Sequence, residues 1–177
     1  MRLIAKSCLV LLLVLAACKD DIAGLPKPEA IALTEDAAGH YCQMVILEHQ
    51  GPKGQIHLAG YPAPLWFSQV RDAIAYVKSP EQNAEMTVIY VNDMGAALSW
   101  SEPGESNWID VDDAYFVVGS DAVGGMGAPE IVPFSDPEKA REFAATRGGQ
   151  VMRLDEIPVE AVLSPVDFNS ASLEVNK

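Results

Sequence analysis

The clearest secondary-structure signal in this chain is the stretch Asp136-Pro137-Glu138-Lys139-Ala140-Arg141-Glu142-Phe143-Ala144-Ala145-Thr146, which predicts a helix. Asp136 can serve as the N-cap, because its carboxylate accepts a hydrogen bond from a free backbone N–H of the first turn. Proline is tolerated at the first helical position, and Gly148 near the other end is typical of a helix stop. Apolar segments flank the helix, so we expect it to lie between two strands, residues 130–134 and 150–154.

The same order of elements is predicted twice along the chain. The first half is read as strand, glycine turn, strand, helix and strand, at residues 43–48, 50–54, 55–58, 64–76 and 86–91. The corresponding segments of the second half are residues 114–118, 124–129, 130–134, 136–146 and 150–154. The sequence therefore predicts an α+β fold, in which two pseudo-symmetric ββαβ-like halves, about residues 41–95 and 114–163, form one compact body.

The first predicted strand holds a thiol and a thioether two positions apart, in Tyr41-Cys42-Gln43-Met44-Val45-Ile46-Leu47. Side chains alternate across a strand, so Cys42 and Met44 are expected on the same face. Two soft sulfur donors on one face suit Cu(I) better than any hard cation. Cysteine and methionine are also common core residues, so packing inside the body is the alternative interpretation.

The N-terminus has the features of an export signal. A basic region with Arg2 and Lys6 precedes an apolar stretch, residues 9–17, that is too short to span a bilayer. The stretch closes with Leu15-Ala16-Ala17-Cys18, which resembles the lipobox of bacterial lipoproteins, where the cysteine is lipidated and becomes the first mature residue. We therefore expect a lipoprotein signal peptide at residues 1–17 and a lipid on Cys18. An ordinary secretory signal cleaved nearby is the alternative.

The rest of the chain divides into a linker, a body and a tail. Residues 18–38 contain a charged run and two prolines and are read as a lipid-anchored linker. Residues 39–163 form the predicted body, and residues 164–177 are a polar tail that we expect to be flexible.

Loss of the signal changes the number of available cysteines. Of the three cysteines, Cys8 would be removed and Cys18 would be lipidated, which leaves Cys42 as a single thiol in an oxidising compartment. A leftover cysteine in an exported protein indicates a reactive thiol, an intermolecular disulfide or a metal ligand. This arithmetic favours the metal-ligand interpretation of Cys42 over core packing.

The charge of the chain excludes some partners. The chain has 12 Lys+Arg and 25 Asp+Glu residues, and loss of Arg2 and Lys6 with the signal would leave a formal charge near −15. Such an acidic protein is a poor ligand for nucleic acid and for anionic lipid headgroups.

Several motifs occur in order along the predicted body. They are Cys42-Gln43-Met44, Glu48-His49-Gln50-Gly51-Pro52-Lys53-Gly54-Gln55-Ile56, Trp66-Phe67-Ser68, Tyr90-Val91-Asn92-Asp93-Met94 and Gly125-Met126-Gly127-Ala128-Pro129-Glu130. Together they resemble the NosL family of copper-binding lipoproteins, over roughly residues 41–163. The family fold, a pair of ββαβ-like halves, agrees with the predicted repeat.

The resemblance implies a function. It implies a Cu(I) metallochaperone without enzymatic activity, lipid-anchored at the periplasmic face of a bacterial envelope membrane. In this family the copper is used to assemble the copper–sulfide centre of nitrous oxide reductase. The implied partners are that reductase and its NosD-containing ABC-type maturation complex.

A chaperone site of this kind needs a third ligand besides Cys42 and Met44. The predicted repeat aligns residues 51–56 with residues 126–131, which places Met126 on a glycine turn that could lie beside the first strand. A methionine flanked by glycines is easily presented to a ligand, so Met126 is the expected third ligand. Its alternative role is that of a loop methionine covering the edge of the core.

Three further residues are weaker candidates. His49 and His57 could supply imidazole nitrogen, but a hydrogen-bonded structural histidine is the commoner situation for each. Met94 is a second loop methionine, which could lie around the site or at a docking surface.

Two other classes of function remain open from the residues alone. An envelope enzyme could use Cys42 as a nucleophile or redox thiol, but the predicted mature chain has no Cys-x-x-Cys pair and no resolving cysteine. A structural lipoprotein could simply bury the thiol. The metallochaperone without catalysis is the prediction that we carry to the structure.

Overall fold

The computed structural model describes residues 27–166 and contains two antiparallel sheets with helices packed between and beside them. The strands are β1 (Gly54–Leu58), β2 (Leu65–Phe67), β3 (Met86–Asn92), β4 (Trp108–Asp110), β5 (Tyr115–Val118), β6 (Val132–Phe134) and β7 (Gln150–Met152). The helices are α1 (Val70–Lys78), α2 (Pro137–Arg147) and α3 (Glu160–Leu163), and 3-10 turns span Ile46–Glu48 and Leu154–Glu156. The predicted α+β class is confirmed.

The first sheet has the strand order β2-β1-β3-β4, so β1 is central. Gly54 at the start of β1 pairs with Phe67 on one side and with Val91 on the other. A side chain at Gly54 would meet the Ala73 side chain of α1 at 2.8 Å, so the missing Cβ lets this helix approach the sheet. The central strand is buried along its whole length.

The second sheet has the order β6-β5-β7, again with the first of its strands in the centre. Phe116 on β5 pairs with Pro133 on β6 and with Met152 on β7. Pro133 has no N–H to donate, which is compatible with the edge position of β6.

A buried cluster joins the two sheets into one body. Val70 and Ile74 from α1 pack with Val91 of β3 and Phe116 of β5, together with residues that follow β4 and β7. All four of these side chains are essentially inaccessible to water. The apolar face of α1 therefore fills the space between the sheets, and its N-terminus is fixed relative to both.

Helix α2 forms as its sequence predicts. The Asp136 carboxylate accepts a hydrogen bond from the Glu138 N–H at 2.8 Å, Pro137 occupies the first turn, and Gly148 ends the helix with a φ of 76°. Helix α1 is shorter than the sequence suggests, because Leu65-Trp66-Phe67 pair with β1 as strand β2. The predicted helix at residues 64–76 is therefore wrong at its start.

The predicted strand at residues 43–48 is also wrong. The chain turns there, with Gln43 at a φ of 56°, and continues as the 3-10 turn Ile46–Glu48. The Gln43 side-chain amide donates to the carbonyls of Gly39 and His40, so local hydrogen bonds replace a strand ladder. Within residues 27–166, the one β-type contact of this segment is an isolated bridge between Ala38 and Val45.

Because residues 43–48 are not a strand, the first unit of the predicted repeat begins at β1 instead. In connection order, β1-β2-α1-β3 corresponds to β5-β6-α2-β7. The expected alignment of residues 51–56 with 126–131 does not fit this order, because the former lead into the first strand of their unit and the latter into the second. The pseudo-symmetric relation between the halves stays a prediction.

Part of the expected linker belongs to the packed structure. Leu33 and Ala37 are buried against Ile46, and the Ile31 backbone exchanges two hydrogen bonds with the Gln55 amide. Residues 28–38 therefore lie along the first sheet. The predicted signal peptide, Cys18 and most of the tail lie outside residues 27–166. Within those residues, no helix has the length and apolarity needed to cross a bilayer.

Candidate functional site

Cys42 lies in a tight loop that closes on itself. The Gly39 N–H donates to the Met44 carbonyl at 2.9 Å, and the Gln43 N–H donates to the Gly39 carbonyl at 2.8 Å. The Cys42 thiol packs directly on Gly39, so closely that a methyl group at this glycine would overlap the sulfur. The loop therefore turns the thiol inward, and Gly39 provides the space for it.

The Cys42 thiol is half-buried and faces the start of α1. Its Sγ atom lies 3.8 Å from the Ser68 hydroxyl, within range of a weak hydrogen bond in either direction. Met44 is 41% exposed. Strand alternation does not set the relative positions of Cys42 and Met44, because the turn at Gln43 replaces the strand.

Met126 lies on a second tight loop. The Gly124 N–H donates to the Ala128 carbonyl and the Gly127 N–H donates to the Gly124 carbonyl, each at 2.9 Å. The Met126 N–H donates to the Gln69 side-chain oxygen at 3.0 Å. The Met126 side chain is 36% exposed, so its thioether is presented at the surface while its backbone is tied to the body.

The two loops meet at one point of the fold, the junction between β2 and α1. Ser68 of this junction contacts the Cys42 thiol, and the next residue, Gln69, holds the Met126 N–H. Cys42 and Met126 are far apart in the sequence, but they contact neighbouring residues in space. The tertiary structure thus attaches the Cys42 loop and the Met126 loop to successive residues of the β2–α1 junction.

His49 lies against the Met126 loop. A side chain at Gly125 would meet His49 Cβ at 2.6 Å and the Gln50 carbonyl oxygen at 2.9 Å, so the two backbones approach closely. His49 is half-buried, and its Nε2 atom is shielded from water without a hydrogen-bond partner among residues 27–166. A buried nitrogen without a partner is free to bind a ligand or metal ion, which makes His49 a stronger candidate than the sequence indicated.

His57 has a structural environment. It is buried on β1, its Nε2 lies 2.9 Å from the Gln55 side-chain oxygen, and its ring meets the Tyr90 ring edge-on. Burial lowers the pKa of His57, which favours the neutral imidazole. Since Gln55 is in turn fixed by the Ile31 backbone, the His57 ring is held inside the first sheet by its own network.

Met94 packs in the core of the second sheet. It lies against the buried cluster that contains Val132 and Phe134, beside Trp100 and Phe143. Its backbone N–H donates to the Pro133 carbonyl. The environment of Met94 is therefore that of a packing residue.

Two buried ionisable residues, Glu130 and Lys53, were missed from the sequence. Glu130 is inaccessible to water. Its Oε1 accepts hydrogen bonds from the Arg71 and Ile131 N–H groups, each at 2.9 Å. Its Oε2 has no hydrogen-bond partner among the described residues. Burial raises the pKa of Glu130 to about 8, against the opposing effect of those two hydrogen bonds. Burial likewise lowers the pKa of Lys53 to about 8, and the Glu130 charge opposes that shift.

The Lys53 ammonium is satisfied by backbone. It donates to the carbonyls of Gln50 and Gly51, at 3.1 and 2.5 Å, and so braces the segment that follows His49. An isolated glutamate or lysine in the sequence reads as a surface residue, so no local signal could have identified Glu130 or Lys53.

The donor atoms around the junction are of a particular chemical type. No group of three or more His, Cys, Asp or Glu side chains able to hold a metal ion occurs within residues 27–166. The potential donors on the two loops are instead one thiol and two thioethers, with His49 next to them. Such a set matches a soft metal ion rather than a hard cation.

Comparison with known proteins agrees with this donor chemistry. The sequence model described as NosL matches residues 30–162. The chain is 56% identical over 160 residues to the copper-binding lipoprotein NosL of Achromobacter cycloclastes, covering 90% of this chain and 82% of the relative. It is 32% identical over 130 residues to the copper-binding lipoprotein NosL of Stutzerimonas stutzeri, covering 73% of this chain and 66% of the relative.

The fold of the chain is also similar to that of a solved structure. The crystal structure of the copper chaperone NosL from Shewanella denitrificans superimposes with a TM-score of 0.69 at 34% sequence identity, covering 75% of this chain and 97% of that chain. Because sequence and fold agree over most of the described body, the chain belongs to the NosL family.

Proposed function

We propose that this protein binds Cu(I) and passes it on, and that it is not an enzyme. The observation that supports this most directly is that the Cys42 thiol contacts Ser68 while the Met126 N–H binds the next residue, Gln69, so that two loops carrying soft donors are attached to one junction. The relatives that the chain matches are named copper-binding lipoproteins and a copper chaperone.

Each donor has a distinct role in this proposal. The Cys42 thiolate is the strongest ligand for Cu(I), and its half-buried position against Ser68 holds it in one place. The thioethers of Met44 and Met126 are weaker donors and are exposed, so a partner protein can replace them one at a time. His49, whose Nε2 has no partner among the described residues, is the alternative to Met126 as third ligand. A site with one strong and several weak ligands retains copper and still releases it by ligand exchange.

The destination of the copper is part of the proposal. The family resemblance supports delivery to the copper–sulfide centre of nitrous oxide reductase, through the NosD-containing ABC-type maturation complex. The lipid on Cys18 would hold the protein at the periplasmic face of the membrane, where that complex would receive the ion.

A thiol-dependent enzyme is the less favoured alternative. Such an enzyme needs a base or a resolving thiol beside Cys42, and the hydrogen-bonding contact of the sulfur within residues 27–166 is with the neutral hydroxyl of Ser68. Labelling of Cys42 by a thiol reagent separates these functions: Cu(I) protects the thiol in a chaperone and leaves its reactivity unchanged in such an enzyme.

The test of copper binding uses the full-length protein, purified without oxygen and loaded with one equivalent of Cu(I). Cys42→Ser replaces the soft sulfur by a hard oxygen, so competition with a chromophoric chelator should show loss of most of the Cu(I) affinity. An affinity equal to that of the wild type would overturn the proposal.

The contribution of Met126 needs a matched control. Met126→Leu keeps size and apolarity but removes the sulfur, so X-ray absorption should show less sulfur around the copper. Met94→Leu makes the same chemical change in the core of the second sheet and should leave the copper environment unchanged. If the Met126 variant keeps full sulfur coordination, His49 becomes the third ligand.

A further inference from the structure

Gln69 has a side chain that the chaperone chemistry does not by itself require. It occupies the N-cap position of α1, yet its side chain makes no capping hydrogen bond to its own helix. The Arg71 N–H of that helix is bound instead by Glu130. Gln69 is only 1% exposed, so its buried amide needs hydrogen-bond partners other than the backbone of its own helix.

The Gln69 amide is held at both ends. Its Nε2 donates to the Asp72 carboxylate at 3.2 Å, and its Oε1 accepts the Met126 N–H at 3.0 Å. The first contact determines which end of the amide faces the Met126 loop, because a carboxylate accepts hydrogen bonds and does not donate them when ionised. The amide therefore offers an oxygen to Met126 in one fixed orientation.

The Met126 loop is shaped to receive this oxygen. Gly124 is buried, and a methyl group there would overlap Gln69 Oε1 and would meet Glu130 Oε2 at 2.6 Å. The absence of a side chain at Gly124 is thus what allows the Gln69 oxygen to reach the Met126 N–H. The preceding residue of the chain, Ser68, contacts the Cys42 thiol.

We propose that Gln69 is a positioning residue for Cu(I) binding: it ties the Met126 loop to the junction that carries the Cys42 contact and so sets the distance between the two sulfur ligands. This inference rests on the proposed function, because it assumes that Cys42 and Met126 bind the same ion. Gln69 itself does not contact the metal. Without its hydrogen bond, the glycine-rich Met126 loop samples other positions and the thioether is bound less often.

The variant Gln69→Asn separates positioning from folding. Asparagine is a favoured N-cap residue, so α1 should be at least as stable, but the side chain is one methylene too short to reach the Met126 N–H. We expect the Cu(I) affinity of the full-length protein to fall about three- to tenfold, the effect of losing one hydrogen bond. Because the substitution also leaves a small cavity and an unpaired Met126 N–H, urea unfolding of the metal-free protein should show a modest loss of stability while the variant stays folded.

A double-mutant cycle provides the decisive readout. The affinities of wild type, Gln69→Asn, Met126→Leu and the double variant are measured with the same Cu(I) chelator. If Gln69 acts through Met126, the Asn substitution weakens binding in the wild-type background and has no further effect in the Met126→Leu background. Gln69→Leu, which also removes the hydrogen bond, should reproduce this pattern.

The outcomes distinguish this inference from the proposed function. An equal loss of affinity in both backgrounds, or no loss in either, would show that Gln69 does not position Met126. Unchanged affinity in Met126→Leu with strong loss in Cys42→Ser would overturn the inference and leave copper binding intact. Unchanged affinity in Cys42→Ser would overturn the proposed function itself.

Discussion

Replacing Glu130 by glutamine tests whether the buried carboxyl beneath the Met126 loop carries a proton in the folded protein. Burial raises its pKa from 4.5 to about 8. The folded state therefore binds a proton that the unfolded chain loses near pH 4.5. A carboxyl with a raised folded-state pKa stabilises the protein fully below its unfolded pKa, and this contribution is lost as the pH rises toward 8.

The size of the effect follows from the two pKa values. They differ by roughly 3.5 units, and each unit corresponds to ~1.4 kcal/mol, so the upper bound is on the order of 5 kcal/mol. Glutamine has the shape of the protonated carboxyl, and its oxygen can accept the same hydrogen bonds from Arg71 and Ile131. The variant should therefore exceed the wild type in free energy of unfolding by only about 1 kcal/mol at about pH 5 and by about 2–5 kcal/mol at about pH 8.

The measurement is urea unfolding of the purified full-length proteins at intervals from about pH 5 to about pH 8. Glu81→Gln is the matched control, because Glu81 is exposed and its substitution should leave the pH dependence of stability unchanged. The pKa of Lys53 is lowered by burial to about 8, so its own contribution changes between about pH 8 and 10.5, above the measured range. If the difference in free energy of unfolding between wild type and Glu130→Gln stayed constant over this pH range, the assignment of a neutral carboxyl would be refuted.

Three further predictions concern the Cys42 loop, the core and the anchor. Gly39→Ala should push the thiol away from Ser68 and weaken Cu(I) binding, with a loss of roughly 1–3 kcal/mol in stability; an unchanged affinity for Cu(I) in a chelator competition would contradict this reading of the loop. Phe116→Ala should cost about 3–5 kcal/mol, and fluorescence and circular dichroism should still report one coincident unfolding transition, because this side chain lies in the cluster that joins both sheets; two separate transitions would mean that the sheets fold independently. Cys18→Ala should move the protein from the membrane fraction to the soluble fraction of fractionated cells, and retention of the variant in membranes would argue against a lipid on this residue.

Local signals in the sequence were sufficient for part of this protein. Asp136, Pro137 and Gly148 define helix α2 because capping and backbone restriction act within one turn of the chain. The glycine loop around Met126 was recognisable for the same reason. The soft-donor chemistry of Cys42, Met44 and Met126 is a property of the residues, but the strand spacing used for Cys42 and Met44 does not hold in the structure.

The sequence was misleading where local and distant contacts compete. Residues 41–47 have the apolar composition of a strand, but the Gln43 amide closes the loop on Gly39 and His40, and residues 54–58 take the central place in the sheet instead. The alignment of residues 51–56 with residues 126–131, which suggested Met126 as a ligand, does not match the observed connection order. Met126 nevertheless lies beside the junction that contacts Cys42, because Gln69 binds its backbone.

Only the tertiary structure could reveal the buried polar residues around the candidate site. Gln69, Glu130 and Lys53 are ordinary polar residues in the sequence, and their burial depends on contacts across many residues, such as those of Gln69 with Met126 and of Glu130 with Arg71. Burial is a property of the whole packed body, and it is burial that shifts the pKa values of Glu130 and Lys53 and leaves His49 Nε2 without a partner among the described residues. The sequence by itself determined which sulfur atoms are available, whereas the packing of α1 between the two sheets placed the Cys42 and Met126 loops against successive residues of one junction.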